Sequence, residues 1–177
     1  MAETIVRWLK RLGLGGGIAL GLAYIVFCAY SLPSHIKVHV TGIEIKRNDV
    51  EKKDETTRTQ DVWYVMAEEL DGSPRMFRNQ DTGWGWPPYF KFNSGDVAAQ
   101  ANNFASDPSK PVVLVKYYGF RIRLMSTYPN ILSMRAVPPD YQPIPWFTIF
   151  FVFAHLVAIG FVWTVVRDFR EARKGDL

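Results

Sequence analysis

LGLGGGIALGLAYIVFCAYSLPS, residues 12–34, contains no Asp, Glu, Lys or Arg. A helix of this length, rising ~1.5 Å per residue, is long enough to cross a hydrocarbon core ~30 Å thick. A second run without these charged residues covers residues 141–166, near the other end of the chain. The sequence therefore predicts two terminal transmembrane helices that flank one central domain.

The first run also has features of a secretory signal peptide. Basic residues precede it, and Ala29-Tyr30-Ser31 resembles a small-residue cleavage site. The apolar part of a cleaved signal is ~7–15 residues long, however, and this run continues beyond that length. Cys28 also lacks the small residue expected just before a lipidated cysteine. We therefore predict a retained membrane anchor.

The orientation is predicted from basic residues, which remain on the cytoplasmic side of bacterial membrane proteins. Arg167, Arg170, Arg173 and Lys174 follow the second run, whereas its other flank offers only Arg135. Two spans place both ends of the chain on the same side, so both termini are expected in the cytoplasm and the central domain outside it. The predicted segments are a cytoplasmic N-terminus (1–11), a transmembrane helix (12–34), an extracytoplasmic domain (35–140), a second transmembrane helix (141–166) and a cytoplasmic tail (167–177).

The net charge of +4 and the sequence pI of 9.2 come mainly from the regions that flank the two spans. The central segment is close to neutral, and nucleic-acid binding calls for a basic face on the folded domain. The expected partners are the lipid bilayer and another membrane protein or a second copy, with no nucleic acid. Cys28 is the single cysteine and lies in the first span, so the central domain has no disulfide.

Small residues recur at four-residue spacing in both spans. Gly13, Gly17 and Gly21 fall on one helical face of the first span, and Ala154 and Ala158 have the same spacing in the second. Such faces allow another helix to approach closely. We expect the two spans to pack on each other or on a partner's helix, although glycine is also simply common in membrane helices.

His155 lies near the middle of the second span, where an ionisable side chain is a functional candidate by default. A neutral histidine that bonds to a neighbouring helix is the alternative to a haem or proton site. We favour this alternative, because no second candidate ligand faces His155.

The first half of the central domain has the residue pattern of β-strands. Residues 36–46 alternate between apolar and polar, interrupted by Thr41-Gly42, which predicts a strand with a bulge. Residues 48–59 are almost entirely polar and predict an exposed loop. Residues 61–70 are rich in strand formers, and the following Asp-Gly-Ser-Pro predicts a hairpin that leads to a third strand.

The second half predicts a helix followed by further strands. Ser94 is placed to cap a helix whose apolar residues fall on one side. Strands are predicted over residues 112–120, 122–125 and 131–137. This order gives an α+β domain and is that of a small, partly open barrel of the OB type, although other α+β sandwiches share it.

The sequence offers little support for catalysis. His35 and His39 lie ~13 Å apart along a strand, too far to share one metal ion. Glu68 and Glu69 are adjacent and point to opposite faces of a strand. No nucleophile motif, phosphate-binding glycine loop or zinc spacing is present. We therefore expect a protein that is not an enzyme, with no catalytic residue, no cofactor and no metal site.

The stretch DTGWGWPPYF, residues 81–90, concentrates aromatic residues in a mostly polar region. Trp84, Trp86 and Tyr89 are the candidate contacts for a partner or ligand. Trp84 lies between two glycines and is predicted to be the most exposed. Trp86, Tyr89 and Phe92 are predicted to be mainly structural. One tryptophan is expected to pack over the sheet near residues Tyr117, Tyr118 and Phe120.

The run from Phe77 to Phe92, FRNQDTGWGWPPYFKF, resembles a motif of the bacterial membrane proteins grouped as the domain of unknown function 1523 family. The segments Tyr118-Gly119-Phe120-Arg121 and Tyr128-Pro129-Asn130 extend the resemblance, which covers most of the chain. It implies a bacterial inner-membrane protein of alphaproteobacterial type. It implies no activity, cofactor or catalytic residue.

Two functions are compatible with these features. The first is a non-enzymatic accessory or assembly subunit of a larger membrane complex, which the glycine face and the presence of two anchors favour. The second is a periplasmic binding module for an envelope ligand, a glycan or a lipid headgroup, which the aromatic loop and the OB-like element order favour.

Overall fold

The computed structural model describes residues 2–50 and 58–175. The chain divides into two compact units, Met1–Tyr141 and Gln142–Leu177, and each is described by itself. The elements, in chain order, are α1 (Ala2–Ser31), β1 (Ser34–Val50), β2 (Arg58–Glu69), β3 (Pro74–Asn79), α2 (Ser94–Ser106), β4 (Val113–Tyr118), a 3₁₀ turn (Arg123–Met125), β5 (Asn130–Ala136) and α3 (Trp146–Gly175).

The five strands form a closed barrel in the order β1-β2-β3-β5-β4. The pairing is antiparallel except between β3 and β5, where Arg78 pairs with Asn130 in parallel. The predicted bulge in β1 is present between Val40 and Gly42. With α2 between β3 and β4, this is the topology of an OB-type barrel. The predicted α+β class is therefore confirmed, and the sheet, predicted to be partly open, closes through the β3–β5 contact.

The core of the domain lies inside the barrel and is built mainly from β-branched residues, which suit strands. Alternate positions along β4 face inward, so Val113 and Val115 are both fully buried. Burial of each such side chain stabilises the fold by roughly 1.5–3 kcal/mol. The strand residues of the core are Val38, Val40, Val65, Ala67, Phe77, Val113, Val115, Ile131 and Met134, and α2 adds Val97 and Ala101.

Two of the predicted strand boundaries are wrong. The polar segment 48–59 is not all loop, because β1 extends to Val50 and pairs there with Arg58 of β2; residues 51–57 lie outside the described residues. Segment 122–125 is not a strand but includes a 3₁₀ turn, after which Ser126 adopts a left-handed conformation with φ of 49°. The local bonds of this turn replace strand pairing.

The N-terminus of α2 also differs from the prediction. Ser94 is the first helical residue and does not cap the helix, and its neighbour Asn93 makes no side-chain capping bond. Asp81 takes this role from the preceding loop: its carboxylate accepts hydrogen bonds from the Ser94 backbone N–H and from the Ser94 hydroxyl, both at 2.8 Å. A carboxylate at this position also interacts favourably with the helix dipole.

Two helices are long and apolar enough to cross a membrane: the part of α1 from Arg11 to Ser31, and α3 from Trp146 to Arg173. Both boundaries on the barrel side differ from the predicted 34 and 141. Pro33 disfavours helical backbone at the residue before it, so α1 ends at Ser31. The second helix begins only at Trp146, immediately after Pro145, because proline is tolerated at a helix start and not within it.

Candidate functional site

The last turns of α1 are surrounded by aromatic side chains from two loops of the barrel. One loop, residues 80–93, joins β3 to α2 and carries the aromatic stretch. The other, residues 119–129, joins β4 to β5. We call the aromatic residues at this junction the aromatic collar; they are Phe27 and Tyr30 of α1, Trp86 and Tyr89 of the β3–α2 loop, Tyr118 at the end of β4 and Phe120 of the β4–β5 loop.

Trp86 and Tyr89 attach the β3–α2 loop to α1. The Trp86 ring stacks on Phe27, with centroids 5.1 Å apart and planes inclined by 18°. Its indole N–H donates to the Ser31 hydroxyl at 3.2 Å, and the Tyr89 hydroxyl donates to the Ser31 carbonyl oxygen. The loop therefore contacts the Phe27 side chain in the apolar segment and forms hydrogen bonds with Ser31 at the end of the helix.

Tyr30 attaches the β4–β5 loop to the same helix end. Its ring meets Tyr118 and Phe120 edge to face, with centroids 6.2 Å and 5.7 Å away. Its carbonyl oxygen accepts from the Gly119 N–H at 2.9 Å. Gly119 has φ of +89°, and an added Cβ would lie 3.4 Å from the Tyr30 ring. The carbonyl groups in the last turn of a helix lack partners within the helix. Here the barrel supplies a hydrogen-bond donor to the carbonyl of Tyr30.

Within the β3–α2 loop, the buried side chain of Lys91 is held by the amide group of Asn79. Lys91 is 4% exposed, and its ammonium donates to the Asn79 side-chain oxygen. The Asn79 amide in turn donates to the Ser94 carbonyl oxygen at 2.8 Å. Burial lowers the pKa of Lys91 to about 8, although the nearby Asp81 carboxylate raises it. This network joins β3, the loop and α2.

The tyrosines of the collar are partly buried and linked to a second polar network. Burial, and then the proximity of Tyr118, raises the pKa of Tyr89 to about 12. Burial also raises the pKa of Tyr118, and the bond from Asn130 opposes it. The Asn130 amide donates to the Tyr118 hydroxyl at 3.0 Å and to the Gln80 carbonyl oxygen at 2.9 Å. Both loops are therefore fixed to one pair of strand ends.

The tip of the aromatic loop is exposed, as predicted for Trp84. That side chain is 84% exposed and contacts Phe90 and Phe92 edge to face, with centroids 5.3 Å and 6.0 Å away. Phe92, predicted to be mainly structural, is 59% exposed and packs beside Trp84 on the outside of the loop; its structural role stays a prediction.

The contact expected between a tryptophan and the sheet is made by a tyrosine instead. The Tyr89 ring packs on Tyr118 in a tilted arrangement, with centroids 5.4 Å apart and planes inclined by 36°, whereas the Trp86 ring stacks on Phe27 of the helix. Tyr89 is partly buried, in agreement with its predicted structural role. Trp86 is 61% exposed despite its contacts with α1.

The sequence analysis missed the second exposed loop. Leu124 is 96% exposed and Met125 is 68% exposed, next to the exposed Arg121 and Arg123. The detectable signal was an apolar pair preceded by two arginines, which we assigned to a strand.

The predicted helix-packing residues lie on exposed helix surfaces. Within the unit 1–141, no described atom lies within 4 Å of a Cβ added at Gly13, Gly17 or Gly21. Ala154 and Ala158 are exposed on α3. The role of both faces in helix packing stays a prediction.

His155 was expected to bond to a neighbouring helix. Its Nδ1 lies 2.8 Å from the Phe151 carbonyl oxygen of the same helix. The centroids of the His155 and Phe151 rings are 4.0 Å apart. Its expected bond across to another helix stays a prediction.

Comparison with known proteins identifies a protein family and a relative of this chain. The family described as "Protein of unknown function (DUF1523)" matches residues 9–170. A Haemophilus influenzae protein that carries the name "Uncharacterized protein" is 34% identical over 145 residues, which cover 75% of this chain and 81% of that protein. No solved structure matches the chain significantly.

Proposed function

The chain belongs to the DUF1523 family, and we propose that it is a non-enzymatic inner-membrane protein whose periplasmic barrel binds lipid headgroups at the membrane surface through the aromatic loop. One observation carries this proposal. Trp86 stacks on Phe27, which lies within the apolar segment of α1. With ~1.5 Å per residue, Phe27 lies ~6 Å below the helix end at Ser31.

This contact supports a position of the aromatic loop at the surface of a membrane that α1 crosses. Tryptophan and tyrosine are enriched at the membrane–water interface, where the ring lies among headgroups and the N–H or O–H reaches a polar partner. Trp84, Phe90 and Phe92 are exposed on the same loop. A glycan-binding platform that faces away from the membrane is less compatible with this placement, so we favour the lipid headgroup.

The placement is tested by measuring the depth of a spin label in the bilayer. Cys28→Ser removes the native thiol, and Trp84→Cys then provides the labelling site in the full chain reconstituted in nanodiscs. We expect a label at residue 84 to be more accessible to oxygen than to a water-soluble nickel complex. Glu44→Cys is the matched control, because it is exposed on β1 and ~33 Å along the strand from Ser34. Equal nickel accessibility at both sites would contradict the proposal.

An accessory or assembly subunit is the second candidate. It is supported by the open face of Gly13, Gly17 and Gly21, where another membrane helix can pack closely. It is also supported by the paired extension of β1 and β2 to Val50 and Arg58. Among the described strands, this hairpin has no neighbour on either side over these last pairs, so its edges are available to a partner strand.

Extraction in mild detergent, followed by size analysis and crosslinking in intact cells, tests this second function. We expect the chain to migrate with a partner or a second copy. Gly17→Leu should abolish the association, whereas Ala19→Leu, on the opposite face of α1, should preserve it. A chain that migrates as a lone monomer from native membranes would exclude an accessory-subunit role.

A further inference from the structure

Four arginines line the two cavities that Tyr128 also lines. The first, of about 480 Å³, is lined by Arg75, Arg121 and Arg123, and the second, of about 270 Å³, by Arg78. Arg75 and Arg78 come from β3, and the other two come from the β4–β5 loop. We call Arg75, Arg78, Arg121, Arg123 and Tyr128 the arginine face.

Two of these arginines have incompletely satisfied guanidinium groups. The Nε atoms of Arg75 and Arg78 are buried without a hydrogen-bond partner. A buried donor left unpaired is destabilising, and more so when it belongs to a charged group. Both side chains line the cavities beside Tyr128, so their guanidinium groups place positive charge at the cavity walls, although the two Nε atoms themselves are enclosed.

The acidic residues near the arginine face do not neutralise it. Glu69 forms an ion pair with one terminal nitrogen of Arg75 at 3.0 Å, which leaves Nε unbonded. Asp81 lines the smaller cavity and adds one negative charge there, while both of its carboxylate oxygens accept hydrogen bonds from Ser94. The four arginines therefore outnumber the acidic side chains, and the face favours an anion.

Arg121 and Tyr128 hold each other in position. The Arg121 guanidinium lies 3.9 Å from the centroid of the Tyr128 ring and donates to the Thr127 carbonyl oxygen at 2.8 Å. The Tyr128 ring also meets Tyr64 of β2 edge to face at 5.3 Å. A planar guanidinium held in this way is suited to bidentate bonding of phosphate oxygens.

The arginine face adjoins the aromatic collar. Tyr30 and Trp86 of the collar line the same cavity as Arg78, so this cavity lies beside the end of α1. We infer that the arginine face binds the phosphate group of an anionic phospholipid in the bilayer that α1 crosses. This inference rests on the proposed position of the barrel at the membrane surface, and it adds a charged site to the aromatic contact.

The inference is tested with the full chain in neutral-detergent micelles, titrated with dihexanoyl phosphatidylglycerol, dihexanoyl phosphatidylcholine and glycerol 3-phosphate. We expect the phosphatidylglycerol to bind most tightly. The double change Arg75→Gln and Arg78→Gln should weaken its binding by about tenfold or more, since bonds to charged groups contribute ~1.5–3 kcal/mol. Arg135→Gln is the control: it also removes one positive charge, but from β5 and outside the arginine face. It should leave phosphatidylglycerol binding within about twofold of that of the unchanged chain.

A second double variant keeps the inference testable if the first variant does not fold. Arg121→Gln with Arg123→Gln changes exposed residues of the β4–β5 loop and should also weaken phosphatidylglycerol binding, with an unchanged near-ultraviolet circular dichroism spectrum. Equal binding of the two phospholipids, or an equal loss with Arg135→Gln, would overturn the inference. Glycerol 3-phosphate binding as tight as phosphatidylglycerol binding would overturn the lipid as the source of the phosphate.

The failure of this inference is separable from that of the proposed function. The depth of a label at residue 84 does not depend on the arginine face. A buried label together with phosphatidylglycerol binding that is insensitive to all four arginines would leave the lipid-contacting loop in place and exclude the anionic site.

Discussion

The indole of Trp86 and the ring of Phe27 stack with centroids 5.1 Å apart, so the barrel is attached to a side chain within the apolar segment of α1. The attachment continues at Ser31, whose hydroxyl and carbonyl oxygen both accept bonds from the same loop. A barrel joined to a helix by a two-residue linker would otherwise be free to rotate about that linker. The collar therefore fixes which loops of the barrel face the helix end.

Replacement of Trp86 should destabilise the domain more than replacement of Trp84. Trp86→Ala removes an aromatic stack, which contributes about 0.5–1.5 kcal/mol, and one hydrogen bond, which contributes about 0.5–1.5 kcal/mol. We expect the free energy of unfolding to fall by about 1–3 kcal/mol. Trp84→Ala, at a side chain that is 84% exposed, should change it by less than about 0.5 kcal/mol.

Urea unfolding of the full chain in detergent, followed by circular dichroism, measures both tryptophan variants. A larger loss for Trp84→Ala would show that the structural and exposed roles of the two residues are reversed. If both variants unfold the domain, the loop is part of the core and cannot act as a contact surface.

The buried Lys91 should make the stability of the domain depend on pH. Its pKa is lowered to about 8 in the folded chain, below the ordinary value of about 10.4. Between these two pH values the unfolded chain binds the proton more tightly, so stability rises with pH. The rise should begin near pH 8 and reach at most about 3 kcal/mol by pH 10, since one pKa unit corresponds to ~1.4 kcal/mol.

Tyr89 has the opposite effect at higher pH. Its pKa is raised to about 12 in the folded chain, so the unfolded chain loses the proton first and stability falls from about pH 10 upward. Together, the two groups predict a stability maximum near pH 10. Chemical unfolding at a series of pH values measures it. Lys91→Met should abolish the rise above pH 8, whereas Lys110→Met, at an exposed position, should leave it in place; a rise that persists in Lys91→Met would assign it to another group.

How far the sequence predicted this structure depends on the range of the interactions. The alternation in residues 36–46, the bulge at Gly42 and the helix after Ser94 are local patterns, and the structure contains all three. The contacts of Trp86 and Phe92 were not predictable in the same way. Their surroundings are set by Phe27 and Trp84, and the contact with Phe27 depends on where α1 meets the barrel.

The cap of α2 shows the same limit at shorter range. A serine followed by an acidic residue is a common start of a helix, and it suggested Ser94 as the cap. The acceptor is Asp81 instead, because the β3–α2 loop folds back on the helix. Likewise, the arginine face joins β3 to the β4–β5 loop, and the barrel topology brings these segments together.

Asp81→Ala should destabilise α2 and the barrel with it. It removes both acceptors of the Ser94 bonds and a negative charge from the helix N-terminus, and loss of a capping residue costs ~1–2 kcal/mol. Asp96→Ala is the matched control, since Asp96 lies in the first turn of the same helix and contributes only the charge term of ~0.3–1 kcal/mol. Thermal unfolding of both variants compares the two positions; equal losses would show that the Ser94 bonds contribute nothing beyond the charge.

The orientation of the chain in the membrane is a further prediction, and it decides which leaflet the barrel can contact. The basic residues Arg167, Arg170 and Arg173 follow the apolar part of α3, and arginine near a span is retained in the cytoplasm. A reporter that is active only outside the cytoplasm should therefore be active when fused after Asp107, at the end of α2. The same reporter fused after residue 177 should be inactive, and a reporter that is active only in the cytoplasm serves as the control at both sites. Activity in the reverse pattern would place the barrel in the cytoplasm, so the lipids at the arginine face and the aromatic loop would be those of the cytoplasmic leaflet.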